Sequence, residues 1–225
     1  MWEVYHIAIT AMSNKIFDFI FVNTSVPSYQ MRLPISLVGD ISVGKTTLVS
    51  AFVNGVRSLD LHYKATIGAS VFSKDISINN EDINLVIFDV SGEERFKKSV
   101  SKVYYQGAQA AIICFDLTRE TTLQGAVKWR QSILDYTKPN SNPIPILLVG
   151  TKSDLVEQRI PDEVIQTIRR EFNFTEYIET SAKYNINVHE TFIRATQLST
   201  TNHSTFQQDG VVVHSVALSD INCSC

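Results

Sequence analysis

Gly39-Asp40-Ile41-Ser42-Val43-Gly44-Lys45-Thr46 decides the fold of this chain. The stretch matches the pattern G-x-x-x-x-G-K-[ST], directly follows the apolar run Leu33-Pro34-Ile35-Ser36-Leu37-Val38 and leads into a helical segment. That strand, loop and helix context is what makes the pattern meaningful. Backbone N–H groups of such a loop converge on a phosphate, and the helix N-terminus adds a favourable potential for an anion. Gly39, Asp40, Ser42, Val43 and Gly44 are therefore expected to cradle phosphate. Lys45 would offer a cation to its oxygens and Thr46 a hydroxyl to magnesium, and Thr47 is expected to bind the nucleotide beside them. The plain alternative is a strand-to-helix turn without a ligand, and Lys45 and Thr46 at the required positions weigh against it.

Working outward, Asp89-Val90-Ser91-Gly92-Glu93-Glu94 comes straight after an apolar run at residues 83–88. A carboxylate at the end of a buried strand can reach a magnesium shell, and Gly92 can present its N–H to a terminal phosphate with no Cβ in the way. Alone this D-x-x-G spacing is weak; beside the Gly39 loop it reads as the second half of one site. Further strands are expected at residues 33–38, 71–78, 110–115, 144–149 and 177–179. Runs such as Ala110-Ala111-Ile112-Ile113-Cys114-Phe115 and Ile146-Leu147-Leu148-Val149 are apolar almost without break, as in parallel strands covered on both faces. Between them lie helical stripes: Leu123, Val127, Arg130, Ile133 and Leu134, then Val164, Ile165, Ile168 and Phe172 after Pro161. The order β-α-β-β-α-β-α-β-α-β-α predicts an α/β domain with a mostly parallel sheet and five helices.

Composition narrows the classes. With 225 residues, 44% hydrophobic and 19% charged, the chain suits one well-buried domain with short extensions and excludes a largely disordered or fibrous protein. Twenty basic against 23 acidic side chains leave a net charge of -3, without the basic excess that nucleic-acid binding would require. The three cysteines, Cys114 in an apolar run and Cys223 and Cys225 at the end, form no disulfide framework and suit a reducing compartment. Residues 1–32 are expected to lie outside the domain. Their apolar stretch at 16–22 is too short and, with Asp18, too charged to span a bilayer, and the start lacks the features of a secretory signal. A peripheral packed segment and an upstream extension of the gene model are both open, the latter favoured by Met31 just before the first strand. The domain is expected over residues 33–198, followed by a polar flexible tail at 199–225.

The motifs together resemble a small GTPase of the Ras superfamily, most similar to the Rab branch, over about residues 33–197 and the last three residues. The marks are Thr66-Ile67-Gly68, Glu94-Arg95-Phe96, Tyr104-Tyr105-Gln106-Gly107-Ala108 and the ending Cys223-Ser224-Cys225. The resemblance implies a P-loop NTPase three-layer αβα domain, a six-stranded mostly parallel sheet with one antiparallel edge strand, and GTP or GDP bound with Mg2+. It places Thr66 with Thr46 and Asp89 on the metal, Thr151, Lys152 and Asp154 in the guanine motif, and Ser181, Ala182 and Lys183 in the loop closing over the base. The residues carry that chemistry by themselves. Asp154 can accept from guanine N1–H and the N2 amino group, whereas adenine N1 would set a lone pair against the carboxylate. The Lys152 stem can lie along the base, and the Ala182 N–H can donate to guanine O6.

By resemblance, Lys45, Gly92 and Glu93 carry catalysis, and Cys223 and Cys225 accept two geranylgeranyl groups. The expected partners are GTP-dependent effectors, an exchange factor, a GTPase-activating protein, an escort protein and a dissociation inhibitor. The expected setting is a monomer on the cytoplasmic face of an endomembrane compartment, cycling with the cytosol and regulating vesicle traffic. The chain departs from the family pattern at Glu93 for Gln, Ser42 for Gly, Ile41 for a small residue, Val90-Ser91 for Thr-Ala and Thr151 for the commoner Asn. It also lacks the expected base-stacking aromatic between residues 54 and 62, where Leu59 or Leu61 are poor substitutes, and carries one extra residue between Phe96 and Tyr104. Binding is thus better supported than hydrolysis. A hydrolysis-impaired GTP-binding adaptor is the alternative, and Asp154 argues against a P-loop kinase or ATPase.

Overall fold

The computed structural model describes residues 31–56, 66, 68–93, 104–105, 107–136, 143–155, 157 and 159–204. Six strands are present: β1 Met31–Gly39, β2 Ala69–Ile78, β3 Glu81–Val90, β4 Ala110–Asp116, β5 Ile146–Thr151 and β6 Glu176–Glu179. The described helices are α1 Lys45–Asn54, α2 Glu120–Tyr136, α3 Asp162–Glu171 and α4 Val188–Ser204. The fifth helix expected from sequence falls between β3 and β4, where residues 94–103 lie outside the described residues.

The sheet runs β2-β3-β1-β4-β5-β6, and only the β2–β3 pair is antiparallel. The parallel order follows from burial on both faces. In β1, Leu33, Ile35 and Leu37 join Leu48, Val49 and Phe52 of α1 and Val188, Phe192 and Ala195 of α4 in one core. Val38 points to the other core, with Leu123, Ala126, Trp129 and Ile133 of α2 and Ile165 and Ile168 of α3. Alternate residues of one strand therefore feed opposite cores, and a strand with no solvent face reads as an unbroken apolar run. Trp129, absent from the expected α2 stripe, is 1% exposed and the largest fully buried side chain among the described residues.

Several ends differ from the sequence reading for identifiable reasons. β2 and β3 continue to Ile78↔Glu81 around Asn79 and Asn80, both at positive φ (53° and 64°), the geometry of a tight hairpin turn that asparagine tolerates. β2 ends at Ile78 as expected, whereas β3 starts at Glu81, two residues before the expected position, because Glu81 and Asp82 are exposed polar residues that hydrophobicity alone leaves out of the strand. β5 begins at Ile146, two residues later than expected, just after Pro145, which has no N–H for the ladder. α4 runs past Leu198 to Ser204, with Ser199 buried and the Thr200 and Thr201 hydroxyls donating to Gln197 O. Hydroxyls that bond back onto the preceding turn keep this polar segment helical. Met31 and Arg32 likewise belong to β1, paired with Ile83 and Asn84.

Candidate functional site

Because β1 lies between β3 and β4 and runs parallel to both, the carboxyl ends of all three strands meet at one edge, where the connection out of β1 leads to one side of it and the connection out of β3 to the other. Open α/β sheets bind ligands at such switch points. The loop Gly39–Thr46 sits there. Gly39 is pressed on β4: at φ 143°, a Cβ on it would stand 2.2 Å from Cys114 O. Gly44 enters α1 at φ 97°. Ser42 holds φ 59°, a conformation that costs a non-glycine residue roughly 1–2 kcal/mol.

A loop whose N–H groups face a ligand must find other partners for its carbonyls. The buried Lys45 donates through Nζ to Gly39 O and Asp40 O, both at 2.9 Å. The Thr151 hydroxyl, at the end of β5, is 2.5 Å from Val43 O and 2.9 Å from Phe115 O. Leu48 N–H donates to Gly44 O at 2.9 Å. Asp40 directs its carboxylate to α2, where it accepts from Trp129 Nε1 at 2.9 Å and lies against Gly125, whose added Cβ would sit 2.0 Å from Asp40 Oδ2. The part expected of Asp40 in cradling phosphate is one for its backbone N–H, while its side chain is engaged with α2.

The three residues expected on the metal come together. Thr46 Oγ1 donates to Asp89 Oδ2 at 2.5 Å and shares a 2.9 Å hydrogen bond with Thr66 Oγ1. Asp89 is fully buried, and its Oδ1 has no hydrogen-bond partner among the described residues. Burial pushes its carboxyl up to about 6, against the pull of the Thr46 hydrogen bond and the Lys45 charge. A buried carboxylate with a spare oxygen beside two hydroxyls fits a small hard cation that takes few protein ligands and keeps phosphate and water oxygens. No cluster of three or more His, Cys, Asp or Glu occurs among the described residues, so this hydroxyl-rich set is not a dedicated protein cage.

Gly92 packs on the loop so closely that a Cβ would stand 2.4 Å from both Asp40 C and Ile41 N. Ser91 is buried between strands, its N–H donating to Gly68 O at 2.8 Å and its Oγ accepting from Glu93 N–H at 3.3 Å. Glu93 is half-buried next to Gly92, and Ile41 on the loop is 44% exposed.

On the other side of the loop opens a cleft of about 210 Å³, lined by Gly44, Thr47, Thr151, Lys152, Asp154, Leu155, Ala182 and Lys183 among others. Ser181 is fully buried behind it, and its Oγ donates to Asp154 Oδ1 at 2.6 Å, fixing the carboxylate's orientation. The Ser181 loop is held in turn by Glu179, which accepts from Arg159 and from Tyr177 Oη at 2.8 Å. Lys152, at φ 61°, lines the cleft and carries its ammonium to Ser42 O at 3.1 Å and Asp116 Oδ2 at 2.7 Å. The Lys152 contacts join the base motif to the phosphate loop at Ser42 and to the end of β4 at Asp116, links the motif does not announce.

Asp116 and Arg119 escaped the sequence reading. The available signal was Asp116 closing an apolar strand at the same sheet edge as Asp89. Leu59, Leu61, the extra residue between Phe96 and Tyr104, the apolar stretch at 16–22, Cys223 and Cys225 lie outside the described residues.

Comparison with known proteins agrees with this geometry. The sequence model of the Ras family matches residues 35–201. Human Ras-related protein Rab-7b is 36% identical over 166 residues, 74% of this chain and 81% of its own length. Rat Ras-related protein Rab-7L1 is 36% identical over 156 residues, covering 68% and 75%. Ras-related protein Rab5A of Oryza sativa subsp. japonica is 38% identical over 157 residues, covering 69% and 74%. With the phosphate loop, the Thr46–Asp89 pair and the Asp154 cleft arranged on one sheet edge, the chain belongs to the Ras family and is a Rab-like small GTPase.

Proposed function

We propose that the protein binds GTP and GDP with Mg2+ as a switch in membrane traffic, with its nucleotide lying along the sheet edge from Asp89 to Asp154. The observation that carries this reading is the convergence of Lys45, the Thr46–Asp89–Thr66 cluster and the Asp154 cleft on one loop. The backbone of Gly39–Thr46 and Lys45 would bind the phosphates, and Thr46, Thr66 and Asp89 would hold the metal, which supplies charge neutralisation at the phosphates. Asp154, oriented by Ser181, would select guanine, while Ala182 N–H and the Lys152 and Lys183 stems would line the base. Gly92 and Thr66 would report the terminal phosphate to partners that read the switch loops. Competition for labelled GTP by GDP, GTP and ATP tests the reading: GDP and GTP should compete strongly and ATP weakly, and equal competition by ATP would overturn it.

Turnover is the finer question. Ionised Glu93 can accept a hydrogen bond from an attacking water but cannot donate as the family's Gln does, and it adds charge beside an anionic transition state. Ile41 exposes a branched side chain beside Gly92, where an activator's arginine would enter. These positions support an altered response to activators. They also favour, as a second reading, a long-lived GTP-loaded adaptor, which single-turnover hydrolysis distinguishes. By the same family logic, the partners are effectors, an exchange factor, an activator, an escort protein and a dissociation inhibitor. Cys223 and Cys225 carry the lipid that holds a monomer to the cytoplasmic face of an endomembrane. Residues 1–30 form an extension that precedes the domain, whose first strand begins at Met31, and tagging the chain with and without residues 1–30 tests whether they direct its placement.

A further inference from the structure

Two carbonyls of the phosphate loop, those of Ile41 and Ser42, are met from outside by cations. Lys152 Nζ reaches Ser42 O at 3.1 Å and Arg119 Nη2 reaches Ile41 O at 3.3 Å. Both cations also meet one oxygen of one carboxylate: Asp116 Oδ2 lies 2.7 Å from Lys152 Nζ and 3.0 Å from Arg119 Nε. The other oxygen, Oδ1, accepts from Thr118 N–H at 2.9 Å and Thr118 Oγ1 at 2.7 Å. The Asp116 side chain is 2% exposed, with four donors arranged about it. Burial alone would raise its pKa, yet the bonds from Lys152 and Thr118 outweigh burial and hold the carboxyl below its ordinary value.

We infer that Asp116 and Arg119 are positioning residues for nucleotide retention: Asp116 holds Arg119 on Ile41 and Lys152 on Ser42, clamping the outer face of the phosphate loop between β4 and the base motif. The inference rests on the guanine-nucleotide reading above. An exposed ion pair three residues apart ordinarily contributes little, and the Arg119 side chain is 41% exposed. What distinguishes this pair is the third contact. The guanidinium is a planar fork, so anchoring Nε on a buried carboxylate aims Nη2 at a fixed point, here a loop carbonyl. A loop whose carbonyls are held outward keeps its N–H groups aimed inward without reorganising when phosphate arrives.

The test is release of a fluorescent GDP analogue from the magnesium-loaded full chain, read well below the thermal midpoint, with the midpoint measured separately. Arg119→Gln should speed release about 5-fold, and Asp116→Asn, which loosens both cations, about 10- to 100-fold. Arg119→Gln in the Asp116→Asn background should add almost nothing, since both act through one carboxylate. Arg119→Lys, with a charge but no fork, should release as fast as Arg119→Gln. Wild type that binds no guanine nucleotide would overturn the underlying reading. Wild type that binds, with Arg119→Gln releasing at the same rate, would overturn the clamp alone, and so would full rescue by Arg119→Lys. Should Asp116→Asn fail to fold, the exposed Arg119 variants still decide the matter.

Discussion

Replacing Thr151 by Val keeps the side-chain shape and removes one hydroxyl. That hydroxyl is buried, 2.5 Å from Val43 O in the phosphate loop and 2.9 Å from Phe115 O in β4. A single O–H must serve both carbonyls, so its loss deprives Val43 O and Phe115 O together of this donor in a site closed to water. Leaving a buried acceptor without its partner costs about 1–3 kcal/mol. If the cost falls on the loop, GDP release should quicken about 5- to 150-fold. The converse substitution sharpens the argument: Thr151→Asn supplies two N–H donors to the same two carbonyls and should slow release about 5-fold. Stopped-flow release of a fluorescent GDP analogue, with circular dichroism to confirm folding, measures both. A folded Thr151→Val protein that releases nucleotide at the wild-type rate would refute the claim that this hydroxyl secures the loop.

Asp154→Asn keeps the acceptor oxygen that Ser181 meets at 2.6 Å but loses the charge facing guanine; GTP affinity should fall about 10- to 100-fold in competition binding while xanthine nucleotides gain. Asp89→Asn removes the carboxylate that Thr46 bonds, so titration of nucleotide retention with Mg2+ should shift to higher metal concentration. Glu93→Gln and Ile41→Gly should each improve hydrolysis stimulated by an activator that inserts an arginine, and failure of both to do so removes this account of the altered switch. Cys223→Ser or Cys225→Ser should leave weak, transient membrane attachment and the double change none, by flotation with vesicles, because residues 200–225 contain no Lys or Arg to serve as a second anchor.

The phosphate loop was legible because its chemistry is contiguous: Gly39, Gly44, Lys45 and Thr46 each act within one strand-to-helix turn, so spacing along the chain is spacing in space. The central strands were legible for a related reason, since a strand buried on both faces leaves an unbroken apolar run, as β4 does. Where a strand end carries polar side chains, as Glu81 and Asp82 do at the start of β3, hydrophobicity is silent and cross-strand pairing with Ile78 and Ser77 decides the length. The polar end of α4 is the helical counterpart, held by hydroxyls bonding back to the preceding turn.

Sequence by itself determined the α/β class, the phosphate loop and the family to which the chain belongs, because these rest on local pattern and on motif order. Only tertiary structure decided which groups stand behind the loop. Asp116 holds Arg119 three residues ahead and Lys152 thirty-six residues ahead on the same oxygen, while Thr151 reaches back across 108 residues to Val43. The Asp40 side chain is a partner for Trp129, 89 residues away. Backbone carbonyls look identical in every sequence, and the donor that satisfies each is set by which strand ends the sheet brings to one edge.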